Sequence, residues 1–444
     1  MLKGLRDRIA SWKDAKEVFA NSGWIVLDRV ARIVLALGVS VALARSLGAE
    51  RLGMLKYAIA LVALCSSFAN LGLYGIVVRE FAKAPEDAAE TMGTASVLYF
   101  FGSLLSFLLC IGVAFFSLGD APGTFTLMLI LSLGVLFFTP RIYVMWFDAK
   151  VKSKYAIYAR GVPSLLSAAG VIIAAMAGAD VYIFAIIIVS DTVLAAVALT
   201  TLGVIRKDVP RRLKFDTARM KYLLGQSWPL IASRVAVLLY LKIDQVMIGE
   251  MLGAREVGIY AVAAEVSEVW YFIPAALATS AFAGMIRLLD TDHGEYVKRR
   301  QDLLDMMVLI AGVIVVFIVI VAGPAMDILY GDEYHASANI LRVHIFASPF
   351  IFMGYVLSKT IIAEGYLKFS LVRHIFGAVV NIGLNLFLIP RVGLIGAAWA
   401  TVVSYACGGY LACALHKDAR RMLGPMTRSL LLPLRPLIRN KSHG

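Results

Sequence analysis

The chain alternates between long apolar stretches and short polar segments. Twelve apolar stretches can each supply a helix of about 20 residues, the length that crosses a bilayer. They are 22–46, 54–78, 92–117, 124–146, 155–178, 181–204, 225–250, 257–285, 303–323, 338–362, 369–390 and 393–415. The pattern therefore predicts an all-α polytopic membrane protein with 12 transmembrane helices.

Composition narrows the class of protein. Of the 444 residues, 60% are hydrophobic and only 16% are charged, whereas a soluble domain is about 25% charged. This excludes a soluble enzyme and a disordered chain. The sequence has no phosphate-binding Walker loop, dinucleotide fingerprint or HExxH motif. We therefore expect a protein that is not an enzyme, needs no cofactor and binds no metal.

The distribution of Lys and Arg predicts the topology. With the N-terminus inside, 33 of the 43 basic residues fall on cytoplasmic segments and five on external ones. This asymmetry follows the positive-inside rule and predicts that both termini are cytoplasmic. The net charge of +13 is then mostly a topology signal, with no nucleic-acid partner implied. The remaining five basic residues lie within the spans: Arg29, Arg32, Arg234, Lys242 and Arg342.

An internal repeat divides the chain. Arg29-Val30-Ala31 recurs as Arg234-Val235-Ala236, and Leu47-Gly48-Ala49 recurs as Leu252-Gly253-Ala254, both at an offset of 205 residues. The repeat predicts two six-helix lobes related by pseudo-two-fold symmetry, with a path between them; a duplicated scaffold without transport is the alternative. The predicted parts are an interfacial amphipathic helix 1–20, an N-lobe 21–204, a cytoplasmic linker 205–224, a C-lobe 225–415 and a basic cytoplasmic tail 416–444.

Two stretches resemble a known family. GWIVLDRVARIVLALGVSVALARSLGAERLGMLKYA, over 23–58, is similar to the opening of bacterial polysaccharide (O-antigen type) flippases. These belong to the multidrug/oligosaccharidyl-lipid/polysaccharide exporter superfamily. NIGLNLFLIPRVGLIGAAWATVVS, over 381–404, resembles their late signature over helices eleven and twelve.

The resemblance implies a transporter of the bacterial inner (cytoplasmic) membrane. Its cargo would be a polyprenyl-diphosphate-linked oligosaccharide, moved from the cytoplasmic to the periplasmic leaflet by alternating access. It implies two lobes around a hydrophilic, cationic central cavity lined by helices one, two, seven and eight. Polysaccharide polymerase and chain-length proteins are candidate partners.

Ionisable residues inside spans are costly to insert and normally face a cavity or a partner. We predict that four cations bind the diphosphate or anionic sugars, because Arg offers bidentate donors and a permanent charge to phosphate; they are Arg29, Arg32, Arg234 and Lys242. The alternative is that these side chains extend to lipid phosphates at the interface. Five acids are candidates for coupling to H⁺ or Na⁺, or for salt bridges to the cations; they are Asp28, Asp191, Asp244, Glu265 and Glu268.

Two other functions stay open at this stage. One is an ion-coupled multidrug or small-molecule antiporter of the same superfamily, although cations in the cavity would repel cationic drugs. The other is a membrane-embedded glycan polymerase or ligase. That class needs a sizeable periplasmic loop with catalytic Arg and acids, whereas the predicted external loops here are short.

Overall fold

The computed structural model describes residues 2–118, 121–206, 208–210 and 212–432, with side chains from residue 31 onward except Ala283 and Asp290. Helices account for nearly all of this part of the chain. Numbered α1 to α16 in chain order, they are Leu2–Cys65, Tyr74–Lys83, Ala88–Ser117, Pro122–Leu133, Arg141–Ala149, Ser153–Met176, Val181–Ile205, Thr217–Leu252, Ala254–Glu268, Phe272–Thr291, His293–Tyr330, Ser337–His344, Ser348–Glu364, Lys368–Val392, Leu394–Gly409 and Leu423–Leu430. Short 3₁₀ turns connect several of them, and no strand occurs in the described residues.

Nine helical segments of the described chain are long and apolar enough to cross a membrane. They are Ala31–Phe68, Pro85–Ser117, Ser153–Met176, Val181–Ile205, Ala254–Phe282, His293–Tyr330, Ser337–Glu364, Lys368–Val392 and Leu394–Leu415. A tenth is formed if Pro122–Phe138 and Arg141–Ala149, which meet at a bend of 41°, count as one broken span. The protein is therefore an all-helical polytopic membrane protein.

The hydropathy pattern predicts twelve apolar stretches, and the difference has two physical causes. The helical parts of the first two stretches join directly at Gly48 (φ 72°, ψ 171°) within α1, so they count as one segment, Ala31–Phe68. The stretch 225–250 lies on α8, where Arg234, Lys242 and Asp244 lower the mean hydropathy. Each of the other stretches coincides with one of the ten segments above.

The described chain divides into two compact units. The first unit is the chain up to Leu47 together with Ala58–Val235, and the second unit is Gly48–Tyr57 together with the chain from Ala236 onward. The core of the first unit gathers large apolar side chains of α2, α3 and α5, including Phe81, Tyr99 and Phe147. A smaller cluster in the second unit centres on Ala347, Ile351 and Val402.

Each unit also exposes many large apolar side chains. Phe116 is 94% exposed and Met176 is 85% exposed in the first unit, while Ile328 is 71% exposed and Ile320 is 70% exposed in the second. A soluble monomer rarely shows contiguous apolar surface on this scale. These faces are suited to contact with lipid acyl chains.

The equivalent glycines of the repeat have the same backbone conformation. Gly48 has φ 72° and ψ 171°, and Gly253 has φ 100° and ψ 173°. Residues with a Cβ rarely adopt this positive φ. Each glycine therefore allows a helix to end and the next one to begin at once.

Two further glycines create a close helix crossing inside the second unit. A Cβ placed on Gly53 would lie 1.7 Å from the carbonyl oxygen of Ala254, and one on Gly258 would lie 2.0 Å from that of Ala49. The contact is reciprocal, because Ala49 and Gly53 face Ala254 and Gly258. Small residues four apart allow this approach of two backbones in membrane helices.

Side chains fix the segment Gly48–Tyr57 within the second unit. Lys56 forms an ion pair with Glu265, and the Tyr57 hydroxyl donates to Glu250. The backbone N–H of Ala49 donates to Glu333 Oε1 at 3.1 Å. The chain thus leaves the first unit at Gly48 and returns to it after ten residues.

Candidate functional site

An accessible arginine group lies in the first unit, and Arg141 is its best-held member. Arg141 is the first residue of α5, directly after Pro140 and the bend that ends the preceding segment. Its Nη1 donates to Asn70 Oδ1 at 3.3 Å, and its guanidinium carbon lies 3.7 Å from the centre of the Phe138 ring. The side chain is nevertheless exposed. Neighbouring residues therefore orient a cation that remains open to a ligand.

Two other arginines approach Arg141. Arg160 on α6 and Arg234 on α8 both lie within electrostatic reach of it, and Tyr99 lies within reach of Arg141 and Arg234. Arg234 is exposed and forms no hydrogen bond or ion pair with the described residues. Like charges repel, so an anion between these side chains would relieve their repulsion. We call Arg141, Arg160 and Arg234 the arginine cluster.

The predicted cation Arg32 also lies in the first unit. Its Nη1 donates to Ser164 Oγ at 3.3 Å, and Asp191 lies within electrostatic reach of it. One carboxylate oxygen of Asp191 is buried and has no hydrogen-bond partner among the described residues. The side chains of Asp28 and Arg29, also predicted from the sequence, lie outside the described residues.

The second unit holds a buried acid, Asp244. Asp244 is 5% exposed and accepts a hydrogen bond from the Tyr260 hydroxyl at 2.5 Å and from the backbone N–H of Gln245 at 2.8 Å. The Tyr260 hydroxyl also lies 3.2 Å from Thr401 Oγ1. These residues come from α8, α9 and α15, so the acid sits where three helices pack together.

Other predicted residues surround Asp244. Glu268 lies within electrostatic reach of Lys242, Asp244, Glu265 and Lys56. Glu265 has a direct partner in Lys56, a residue 209 positions away in the sequence. Lys242 is half-buried and forms no ion pair with the described residues. The structure thus gathers Lys242, Asp244, Glu265 and Glu268 in one unit, which we call the acid cluster.

The two clusters differ in what they can bind. The arginine cluster offers rigid planar donors suited to a phosphate or carboxylate. The acid cluster holds three carboxylates and one lysine, with Lys56 paired to Glu265 beside it, an arrangement that suits a proton or a small cation. No group of three or more His, Cys, Asp or Glu residues that could hold a metal ion occurs in the described part of the chain.

Sequence reasoning missed two members of the arginine cluster. Arg141 and Arg160 begin and end a polar segment that the charge pattern assigns to a cytoplasmic loop, where both count as topology signals. A usable signal was present at Arg141. It follows a proline inside the otherwise apolar run from Leu136 to Phe147, where a charge is expected to face a cavity.

Comparison with known proteins agrees with this architecture. The family described as "Polysaccharide biosynthesis protein" matches residues 18–283, and the family described as MatE matches residues 229–387. The "Putative O-antigen transporter" of Shigella flexneri is 24% identical over 408 residues, covering 86% of this chain and 93% of the relative. "Probable flippase AglR" of Haloferax volcanii is 28% identical over 199 residues, covering 42% of this chain and 40% of the relative.

Solved structures share the fold at low identity. A multidrug resistance MATE family transporter of the MOP superfamily, in an inward-facing conformation, gives a TM-score of 0.70 at 14% identity and covers 91% of this chain and 99% of its own. The lipid II flippase MurJ gives a TM-score of 0.69 at 16% identity and covers 95% of this chain and 93% of its own. The chain belongs to the polysaccharide biosynthesis protein family, within the multidrug/oligosaccharidyl-lipid/polysaccharide exporter superfamily.

Proposed function

We propose that this protein is a flippase that moves a polyprenyl-diphosphate-linked oligosaccharide from the cytoplasmic to the periplasmic leaflet of a bacterial inner membrane. In this proposal twelve spans form two six-helix lobes with both termini inside, and the lobes alternate access to the two sides. The relatives named as a flippase and as an O-antigen transporter support this cargo class.

The single observation that carries the proposal is the arginine cluster. Arg141 and Arg234 are exposed in a bundle of apolar helices, and neither forms an ion pair with the described residues. A charge in a membrane protein is normally paired, or it lines a pathway. A diphosphate carries several acceptor oxygens and matches a group of guanidinium donors. We infer that Arg141, Arg160 and Arg234 bind it, with Arg29, Arg32 and Lys242 as further contacts to the diphosphate or to anionic sugars.

A binding experiment tests the assignment. Purified protein in nanodiscs of zwitterionic lipid is titrated with farnesyl diphosphate and, separately, with farnesol, which lacks the diphosphate. We expect Arg141→Ala and Arg234→Ala each to weaken farnesyl diphosphate binding by about tenfold or more, since hydrogen bonds to charged groups are worth about 1.5–3 kcal/mol.

Arg255→Ala is the matched control, because the Arg255 side chain is 57% exposed and lies outside the cluster. It should leave affinity unchanged, and farnesol should bind weakly to every protein. Equal affinity of the wild type and both cluster variants for farnesyl diphosphate would remove the arginine cluster as the binding site.

The acid cluster is proposed as the site of energy coupling. Asp244 is buried among three helices, and burial of an unpaired carboxylate costs free energy. Binding of H⁺ or Na⁺ in the vicinity of Asp244 and Glu268 would remove this cost and so link the ion to the conformation of the helices. Asp28 and Asp191 are proposed as further coupling or ion-pairing residues.

A second function has support from one observation. The MatE match over 229–387 favours an ion-coupled antiporter for multidrug or small-molecule cargo. The two functions separate in one assay, because an antiporter lowers accumulation of a cationic dye such as ethidium in proteoliposomes with an ion gradient. A flippase leaves dye accumulation unchanged.

A further inference from the structure

A cavity of about 250 Å³ lies within the second unit, and no member of the acid cluster is among the residues that line it. Five aromatic side chains contribute to its wall; they are Tyr240, Tyr271, Phe350, Tyr355 and Tyr405. The Tyr240 and Tyr405 rings meet edge to face with centroids 4.3 Å apart. Tyr240 also packs against Gly377, where a Cβ would lie 2.9 Å from its ring. The wall therefore depends on close packing of α8, α14 and α15.

Arg373 on α14 is the charged residue among those that line this cavity. It is 6% exposed, and its Nη2 donates to Ser358 Oγ at 2.7 Å. Its Nε has no hydrogen-bond partner, and no carboxylate forms an ion pair with the guanidinium in the described chain. A neutral Gln could bond to Ser358 without a permanent charge. The unpaired charge thus points to a ligand rather than to a structural contact.

The volume and the wall indicate the kind of ligand. Pockets for drug-sized molecules are about 300–1,000 Å³, so this cavity suits a single ring with its substituents. Aromatic rings can stack on the C–H face of a sugar, and tyrosine hydroxyls can bond to its hydroxyls. Arg373 adds selectivity for an anionic substituent.

We propose that this cavity binds an acidic sugar whose ring carries a carboxylate or a phosphate, with Arg373 as the anion-binding residue. The inference rests on the proposed function only in that a lipid-linked glycan would supply such a sugar. Binding of free sugars can be measured without any transport.

Titration calorimetry or saturation-transfer NMR on the protein in phosphatidylcholine nanodiscs tests this, with glucuronate, glucose 6-phosphate and neutral glucose as probes. We expect at least one acidic sugar to bind about tenfold or more tightly than glucose. Arg373→Gln should abolish this preference, and Arg373→Lys should keep part of it.

Arg391→Gln is the matched control, since Arg391 lies on the same helix, is exposed and, among the described residues, contacts only the Phe387 carbonyl and ring. It should bind like the wild type. Thermal melting without sugar should show Arg373→Gln at least as stable as the wild type, because a buried unpaired charge is removed. Failure of both acidic sugars to bind the wild type, or an unchanged preference in Arg373→Gln, would overturn the proposal. If the wild-type protein binds the acidic sugar but does not flip a lipid-linked oligosaccharide, the result counts against the proposed function and leaves the sugar site standing.

Discussion

Single residues show how burial and partners distinguish a charge held in an ion pair from a charge that is open to a ligand. Lys56 is half-buried and paired with Glu265, whereas Arg141 is exposed, oriented by Asn70 and Phe138, and free of an acidic partner in the described chain. The sequence predicts a binding role for Arg234 because it recurs in the repeat and lies inside an apolar stretch. At Arg141 the sequence offers one signal, the preceding proline inside an apolar run, and at Arg373 it offers none, since both stand at the margins of apolar stretches where a loop is equally consistent with the pattern.

At the same scale, Asp244 provides a test of coupling. Asp244→Asn keeps the size of the side chain and its ability to accept from Tyr260, but removes the charge that a proton or Na⁺ would neutralise. We expect the transport rate of this variant to lose its dependence on an imposed H⁺ or Na⁺ gradient, measured in proteoliposomes. Glu256→Gln on the adjacent helix α9 should keep the wild-type dependence. A variant rate that still follows the gradient would exclude Asp244 as the coupling residue.

The sequence predicts the positions of the helices more closely than the residues at which they begin, bend and end. The length of each apolar stretch predicts where a helix lies, because a membrane helix forms its backbone hydrogen bonds within itself and does not depend on neighbouring segments for them. The pattern could not show that two helices join directly at Gly48 within α1, since a kink at a glycine leaves hydropathy unchanged. Nor could it pair Ala49 and Gly53 with Ala254 and Gly258, a contact between positions about 205 residues apart.

The glycine crossing provides a test at this scale. Gly53→Ala and Gly258→Ala each place a methyl group within 2.0 Å of a backbone oxygen, so the helices must separate. We expect each variant to lose about 1–3 kcal/mol of stability, seen as a lower melting temperature of the purified protein in detergent.

Gly383→Ala is the matched control for that experiment. Gly383 also lies within a helix, α14, but outside its own helix turn no atom of the described residues lies within 4 Å of the position that an added methyl group would take. This substitution should leave the melting temperature unchanged or raise it, because Ala favours helix over Gly. Equal melting temperatures for all three variants would show that the close crossing is absent.

For the whole molecule, fold and cargo are separate questions. TM-scores of 0.70 to a multidrug transporter and 0.69 to a lipid II flippase show one fold in proteins that carry different cargo. The fold therefore cannot choose between the two functions, and the choice rests on the chemistry of the site. Exposed arginines favour an anionic headgroup and disfavour a cationic drug.

Flipping by the purified protein is the most direct test of the proposal that it transports a polyprenyl-diphosphate-linked oligosaccharide. A fluorescent polyprenyl-diphosphate oligosaccharide is placed in one leaflet of proteoliposomes, and a membrane-impermeant quencher reports its arrival in the other. We predict flipping well above that of protein-free liposomes, and a fall to near that background in the Arg141→Ala/Arg234→Ala double variant, with Arg255→Ala unaffected. Flipping by the wild type at the protein-free rate, or by the double variant at the wild-type rate, would contradict the account.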